Sequence, residues 1–165
     1  MILIRKALKI SLSSMIKNIF NLTKPNTYSY YQGYHEYGLY MYLLFLHSDS
    51  QSLNTLQKLT EFFFYDCIHI TKNSLTQMKV FQDILEDVLQ MLNPEISEKI
   101  KSYEIPPSFA FAWVVSWFTH GNEDIVLQYR IFDYLICSHP TCIFYLAATI
   151  IIEHCKKHPY LLNSV

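Results

Sequence analysis

Apolar residues along this chain recur mostly at helical spacing. Ile4, Ala7, Leu8, Leu12, Met15, Ile16 and Phe20 fall close to a period of about 3.6 residues and predict a helix over 4–20. Lys24-Pro25-Asn26 breaks the pattern with turn chemistry. A second helix is expected from about Gln32 to His47, crowded with Tyr34, Tyr37, Tyr40, Leu43 and Leu44. Ser48 to Ser52 reads as a polar loop, and Leu53 to His69 as a third helix. Beyond a second polar stretch at 71–77, Phe81, Ile84, Leu85, Val88 and Leu92 line one face of an amphipathic helix over 78–92.

The second half of the chain is marked by local signals. Asn93-Pro94-Glu95 starts a short helix, with Asn93 as the capping residue and proline at the first helical position. Pro106-Pro107 ends it, and Phe109 to Phe118 has almost no polar face, which predicts a buried central helix. Asn122-Glu123-Asp124 caps the next helix, expected to pack Ile125, Tyr129, Phe132 and Ile136. His139-Pro140 opens the last helix, which should run to about Lys157, where Lys156, Lys157 and His158 suit the C-terminal dipole before Pro159. The expected fold is all-α: one domain of seven or eight helices.

Composition narrows this further. A chain of 165 residues has the length for one domain and one core. Apolar residues make up 51%, and 13 Tyr and 11 Phe raise the aromatic share to 16%, so much surface must be hidden internally or against a partner. Only 3 Gly and 6 Pro leave little material for the tight turns of a β architecture. With 13 Lys+Arg against 14 Asp+Glu there is no basic field to hold nucleic acid or an anionic membrane. Cys67, Cys137, Cys142 and Cys155 form no CxxC pair, which fits a reducing, cytoplasmic setting. Lys6 and Lys9 interrupt any leader-like run in Met1 to Leu12, and the apolar run Cys142 to Ile152 is about half the length of a membrane span, so no transmembrane segment is expected.

One stretch carries chemistry. Tyr30-Tyr31-Gln32-Gly33-Tyr34-His35-Glu36 places a neutral amide beside a glycine at a helix entry. Downstream lie Pro107 to Phe118, containing a W-x-x-x-x-F pattern at Trp113 and Phe118, and then Tyr129-Arg130-Ile131-Phe132-Asp133. Through these three segments, in this order, the chain resembles the Rab GTPase-activating (TBC) domain family over about residues 10 to 157. Phe132 stands where that family usually has tryptophan. Tyr-Tyr-Gln-Gly-Tyr-His and the Cys-x-His-Pro at Cys137 to Pro140 are most similar to the subfamily anchored at the endoplasmic reticulum by a C-terminal membrane segment.

The resemblance implies a GTPase activator acting in trans on a Rab-family small GTPase in vesicle trafficking, at or near endoplasmic reticulum or Golgi membranes. It makes Gln32 the glutamine finger that orients the hydrolytic water, with Tyr30, Tyr31 and Gly33 at the GTPase contact. An amide can donate to one oxygen while accepting from water, Gly33 lets the backbone approach closely, and Tyr30 would wedge the turn. No cofactor or metal is expected, since GTP and magnesium belong to the GTPase, and no nucleotide-binding motif is present. The family's arginine motif, I-x-x-D-x-x-R, should lie farther upstream of Gln32 than this chain extends. Arg5 is the only arginine there and Met1 to Arg5 has no Asp at the motif position, so Arg5 is expected to be solvated on the first helix and the domain to be N-terminally shortened. Two further readings remain: a catalytically silent module that binds a GTPase or scaffolds a complex, and a helical domain with no GTPase partner in which Gln32-Gly33 is only a polar turn. His154, Cys155 and His158 read as a helix end rather than a metal site, Arg130 and Asp133 as a local ion pair, and His35 and Glu36 as rim residues.

Overall fold

The computed structural model describes residues 2–22, 33–45, 48–62, 74–104 and 107–159. These residues contain eight α-helices, one short 3-10 helix at Pro107–Ala110 and no strand, so the all-α expectation is borne out. In chain order the α-helices are α1 (Ile2–Leu22), α2 (Tyr34–Leu44), α3 (Asp49–Phe62), α4 (Ser74–Leu92), α5 (Pro94–Ser102), α6 (Phe111–Ser116), α7 (Ile125–Ile136) and α8 (Cys142–Lys157). They fall into two compact units, one formed by Met1–Ser74 with Thr119–Gly121, the other by Leu75–Phe118 with Asn122–Val165.

In the first unit α1, α2 and α3 pack mutually. Met15 and Ile19 of α1, Tyr37 and Met41 of α2, and Leu56 and Leu59 of α3 form its core. At Gly38 the three helices approach closely: a Cβ there would lie 3.2 Å from Met15 Cε, 3.4 Å from Leu12 Cδ2 and 3.5 Å from Leu56 Cδ2. The stretch Ser48 to Ser52 is not a loop as its polarity suggested, because α3 already begins at Asp49. Its serine is satisfied within the unit: Ser52 Oγ donates to Ser48 O at 2.7 Å and reaches Met41 O of α2 at 3.3 Å. Asp49 in the first turn favours a helix start there.

Helix α4, which from Leu75 onward belongs to the second unit, begins at Ser74, earlier than the polar composition of 71–77 implied, since no glycine or proline interrupts Ser74 to Gln77. Its buried stripe is Leu85, Val88 and Leu89, while Leu92, expected inside, is exposed. The start of α5 follows the sequence signal: Asn93 Oδ1 accepts from Ile96 N at 3.0 Å and Pro94 opens the helix. α6 packs on α8, and Phe81 of α4 meets Phe144 edge-on with centroids 5.5 Å apart.

Candidate functional site

Helix α2 is built to hold its entry still. Tyr34, the first helical residue, is fully buried, and its hydroxyl lies 2.5 Å from Thr60 Oγ1. Thr60 uses its single proton on Leu56 O at 2.7 Å, so Tyr34 must be the donor between them. Tyr37 packs against Tyr34 with ring centroids 6.3 Å apart. Gly33 precedes this anchored turn and is itself buried, with φ 105°. A side chain at that φ costs roughly 1–2 kcal/mol, so the glycine of the Gln-Gly pair answers a backbone requirement. Tyr30, Tyr31 and Gln32 lie outside the described residues, as does the side chain of Arg5.

Glu36 is the residue whose role sequence reasoning missed. Its backbone N–H donates to Gly33 O at 2.9 Å, closing the first turn of α2. Its carboxylate, only 21% exposed, then reaches residues more than eighty positions away. Thr119 Oγ1 donates to Glu36 Oε2 at 2.7 Å, and His120 Nδ1 lies 3.3 Å from Glu36 Oε1. Thr119 is buried, and Thr119–Gly121 belongs to the same unit as α2. Glu36 is therefore more than a rim residue, whereas His35 is exposed as expected. The only sequence signal was an acid in a helix's first turn, which local dipole logic already explains.

The tryptophan segment in the second unit departs from the expected long buried helix. A 3-10 turn at Pro107–Ala110 leads into only six residues of α-helix, and Phe109 is exposed. Residues five apart on a continuing helix point about 140° away from each other, yet Trp113 and Phe118 stack with centroids 5.7 Å apart. The chain achieves this by turning left-handed at Trp117 (φ 49°) and Phe118 (φ 62°), with Phe118 N donating to Trp113 O at 2.9 Å in the manner of a Schellman end. Such conformations are strained for bulky residues. Two features of the unit offset this: both rings are buried, and Gln128 Nε2 donates to Trp117 O at 2.7 Å. Phe132, standing where the family usually has tryptophan, packs edge-on against Trp117 at 5.9 Å.

Gln128 also corrects the expected face of α7. The helix is capped by Asp124, whose Oδ1 accepts from Leu127 N at 3.0 Å, but its buried residues are Gln128, Phe132 and Leu135. Ile125 and Ile136 are exposed. Gln128 Oε1 accepts from Asn122 Nδ2 at 2.9 Å, so both ends of its buried amide are satisfied. Burial raises the pKa of the Tyr129 phenol on the same helix.

The remaining candidates resolve locally. Arg130 and Asp133 are both exposed, and the ion pairs seen among the described residues do not include them. His154 and His158 place their rings 4.7 Å apart at the end of α8, and among the described residues no cluster of three or more His, Cys, Asp or Glu is arranged to hold a metal. Burial pushes the Cys155 thiol above its ordinary pKa, away from thiolate chemistry. Among the described residues no helix is long and apolar enough to cross a membrane.

Known proteins are similar to this chain in sequence. Over 123 residues, 74% of this chain, it is 27% identical to TBC1 domain family member 20 of Homo sapiens. The Bos taurus protein of the same name matches to the same extent. Over 125 residues, 76% of this chain, it is 30% identical to GTPase-activating protein gyp10 of Schizosaccharomyces pombe. The matched region spans 29% of the length of the human protein and 32% of the length of gyp10, so the chain corresponds to under a third of each. The model of the Rab-GTPase-TBC domain matches residues 4–160, nearly the whole chain, a range that includes Tyr30-Tyr31-Gln32-Gly33 and the Trp113 segment. The chain belongs to the Rab-GTPase-TBC domain family.

Proposed function

We propose that this domain is a GTPase-activating module for a Rab-type small GTPase, with Gln32 inserted as the glutamine finger and vesicle trafficking at endomembranes as its setting. A GTPase alone is slow because its attacking water is poorly oriented and charge on the transferring phosphoryl group is poorly neutralised. The Gln32 amide can accept from the water and donate to a phosphoryl oxygen at once. Tyr30, Tyr31 and Gly33 shape the contact around it. GTP and magnesium are carried by the GTPase, and this chain supplies no cofactor.

The observation that carries the reading is Gly33: a left-handed glycine directly after the candidate finger, at the entry of a helix whose first residue is fully buried. A finger gains from such rigidity, since orientation supplied in advance lowers the barrier. The family membership, and the similarity to gyp10, a GTPase-activating protein by name, support it.

The second reading is a module that binds a GTPase without activating it, one that is supplied with no arginine finger. An arginine finger contributes about 10³–10⁵ in rate, so the first reading draws that arginine from sequence outside this chain. Single-turnover GTP hydrolysis by a panel of Rab proteins, with the arginine-bearing sequence joined to the chain, tests the choice. Acceleration of one Rab by about a hundredfold or more, abolished by Gln32→Ala, supports the activator. Tight binding without acceleration establishes the silent module.

A further inference from the structure

We propose that Glu36 and Thr119, with His120 outside them, are positioning residues for the glutamine finger: they fix the turn that directly follows Gln32 in the chain. This rests on the activator reading above. Glu36 closes the first turn of α2 through its N–H to Gly33 O at 2.9 Å, so whatever holds Glu36 also holds Gly33. Rotation about the N–Cα bond of Gly33 sets the orientation of the preceding peptide, which Gln32 and Gly33 share. At φ 105° that rotation has no Cβ to restrain it, so a firmly held first turn limits how far Gly33 can shift.

The geometry of the carboxylate suits that task. An exposed acid in a first turn gains its dipole benefit without any further partner. Glu36 is instead drawn inward and engaged at both oxygens by consecutive residues from a distant part of the chain. The Thr119 contact, at 2.7 Å, is a charge-assisted hydrogen bond from a buried hydroxyl, the stronger and more directional of the two. The His120 contact is longer, and its ring is 66% exposed. Thr119 is thus the main anchor and His120 an outer support.

Single-turnover hydrolysis at varied concentrations of the chain, on a Rab protein that responds to it, provides the test. Thr119→Val keeps the shape and removes the hydroxyl. It should lower the maximal rate by about tenfold while leaving the half-saturating concentration within about twofold, because docking persists and only orientation is lost. Thr119→Ser should restore the rate to within about twofold of the original. In a Gln32→Ala background, Thr119→Val should have no further effect, since the two residues act through one group. An unchanged maximal rate for Thr119→Val, an equal drop in the Gln32→Ala background, or failure of Thr119→Ser to rescue overturns the assignment while leaving the activator reading intact. Absence of acceleration on every Rab protein by the unsubstituted chain joined to its arginine-bearing sequence rejects the activator reading itself, and the positioning role with it. Should Thr119→Val not fold, His120→Ala carries the same test, with an expected drop of roughly threefold in maximal rate alone.

Discussion

Helices α2 and α7 are of similar length and are similarly apolar, yet the most deeply buried side chain is a tyrosine in α2 and a glutamine in α7. α2 packs against both α1 and α3, and four large side chains, Tyr34, Tyr37, Tyr40 and Met41, are buried in it. α7 buries Gln128 more completely than any aliphatic residue it carries, and leaves Ile125, Val126 and Leu127 exposed, Val126 at 66%. The difference teaches that apolar content states how much a helix can bury, while its neighbours decide which residues are buried. In α2 the neighbours are two helices that close on Gly38. In α7 the neighbour is a left-handed turn whose carbonyl needs a donor, and Gln128 is the residue that supplies it.

Gln128→Leu should break the α7 half of the comparison most sharply. It preserves size but strips the partners from Trp117 O and Asn122 Nδ2, and we expect a loss of about 3 kcal/mol. Both tryptophans lie in the second unit, so tryptophan fluorescence during urea unfolding reads this change selectively. Gly38→Val attacks the α2 half. Met15 Cε can yield a few tenths of an ångström to one methyl, but a branched side chain also meets Leu12 and Leu56, with an expected cost of about 2 kcal/mol by circular dichroism. Tyr34→Phe removes one donor while Thr60 keeps its bond to Leu56 O, so the loss should be about 1 kcal/mol. Val126→Ser, which would be severe if α7 were buried as its composition suggests, should change stability by less than about 0.5 kcal/mol.

The same contrast explains what the sequence made legible. Asn93-Pro94 and Asp124 specify their helix starts because a cap needs only residues two or three positions away. Period alone located α1 and most of α4. Phe109 to Phe118 looked like one buried helix because nothing local announces that Trp117 and Phe118 turn left-handed; the donor that meets Trp117 O comes from α7. Ser48 to Ser52 looked like a loop because Ser52 finds its acceptors on α2 and at Ser48, which composition does not reveal. At the candidate site, the Gln-Gly pair and its helix were legible from the motif, and Gly33 has the backbone conformation that requires glycine. The Glu36–Thr119 contact was not, because 83 residues separate the partners and each has an ordinary local explanation.

The most direct test of the central claim, that Gln32 acts on the transferring phosphoryl group, is binding to a Rab protein loaded with GDP and a fluoride mimic of that group. A residue that contributes only in the transition state should strengthen this complex relative to the plain GDP form. The account predicts a stable complex that depends on the mimic and is lost in Gln32→Ala. Equal binding with and without the mimic, unaffected by Gln32→Ala, would contradict it and make this domain a GTPase-binding module rather than an activator.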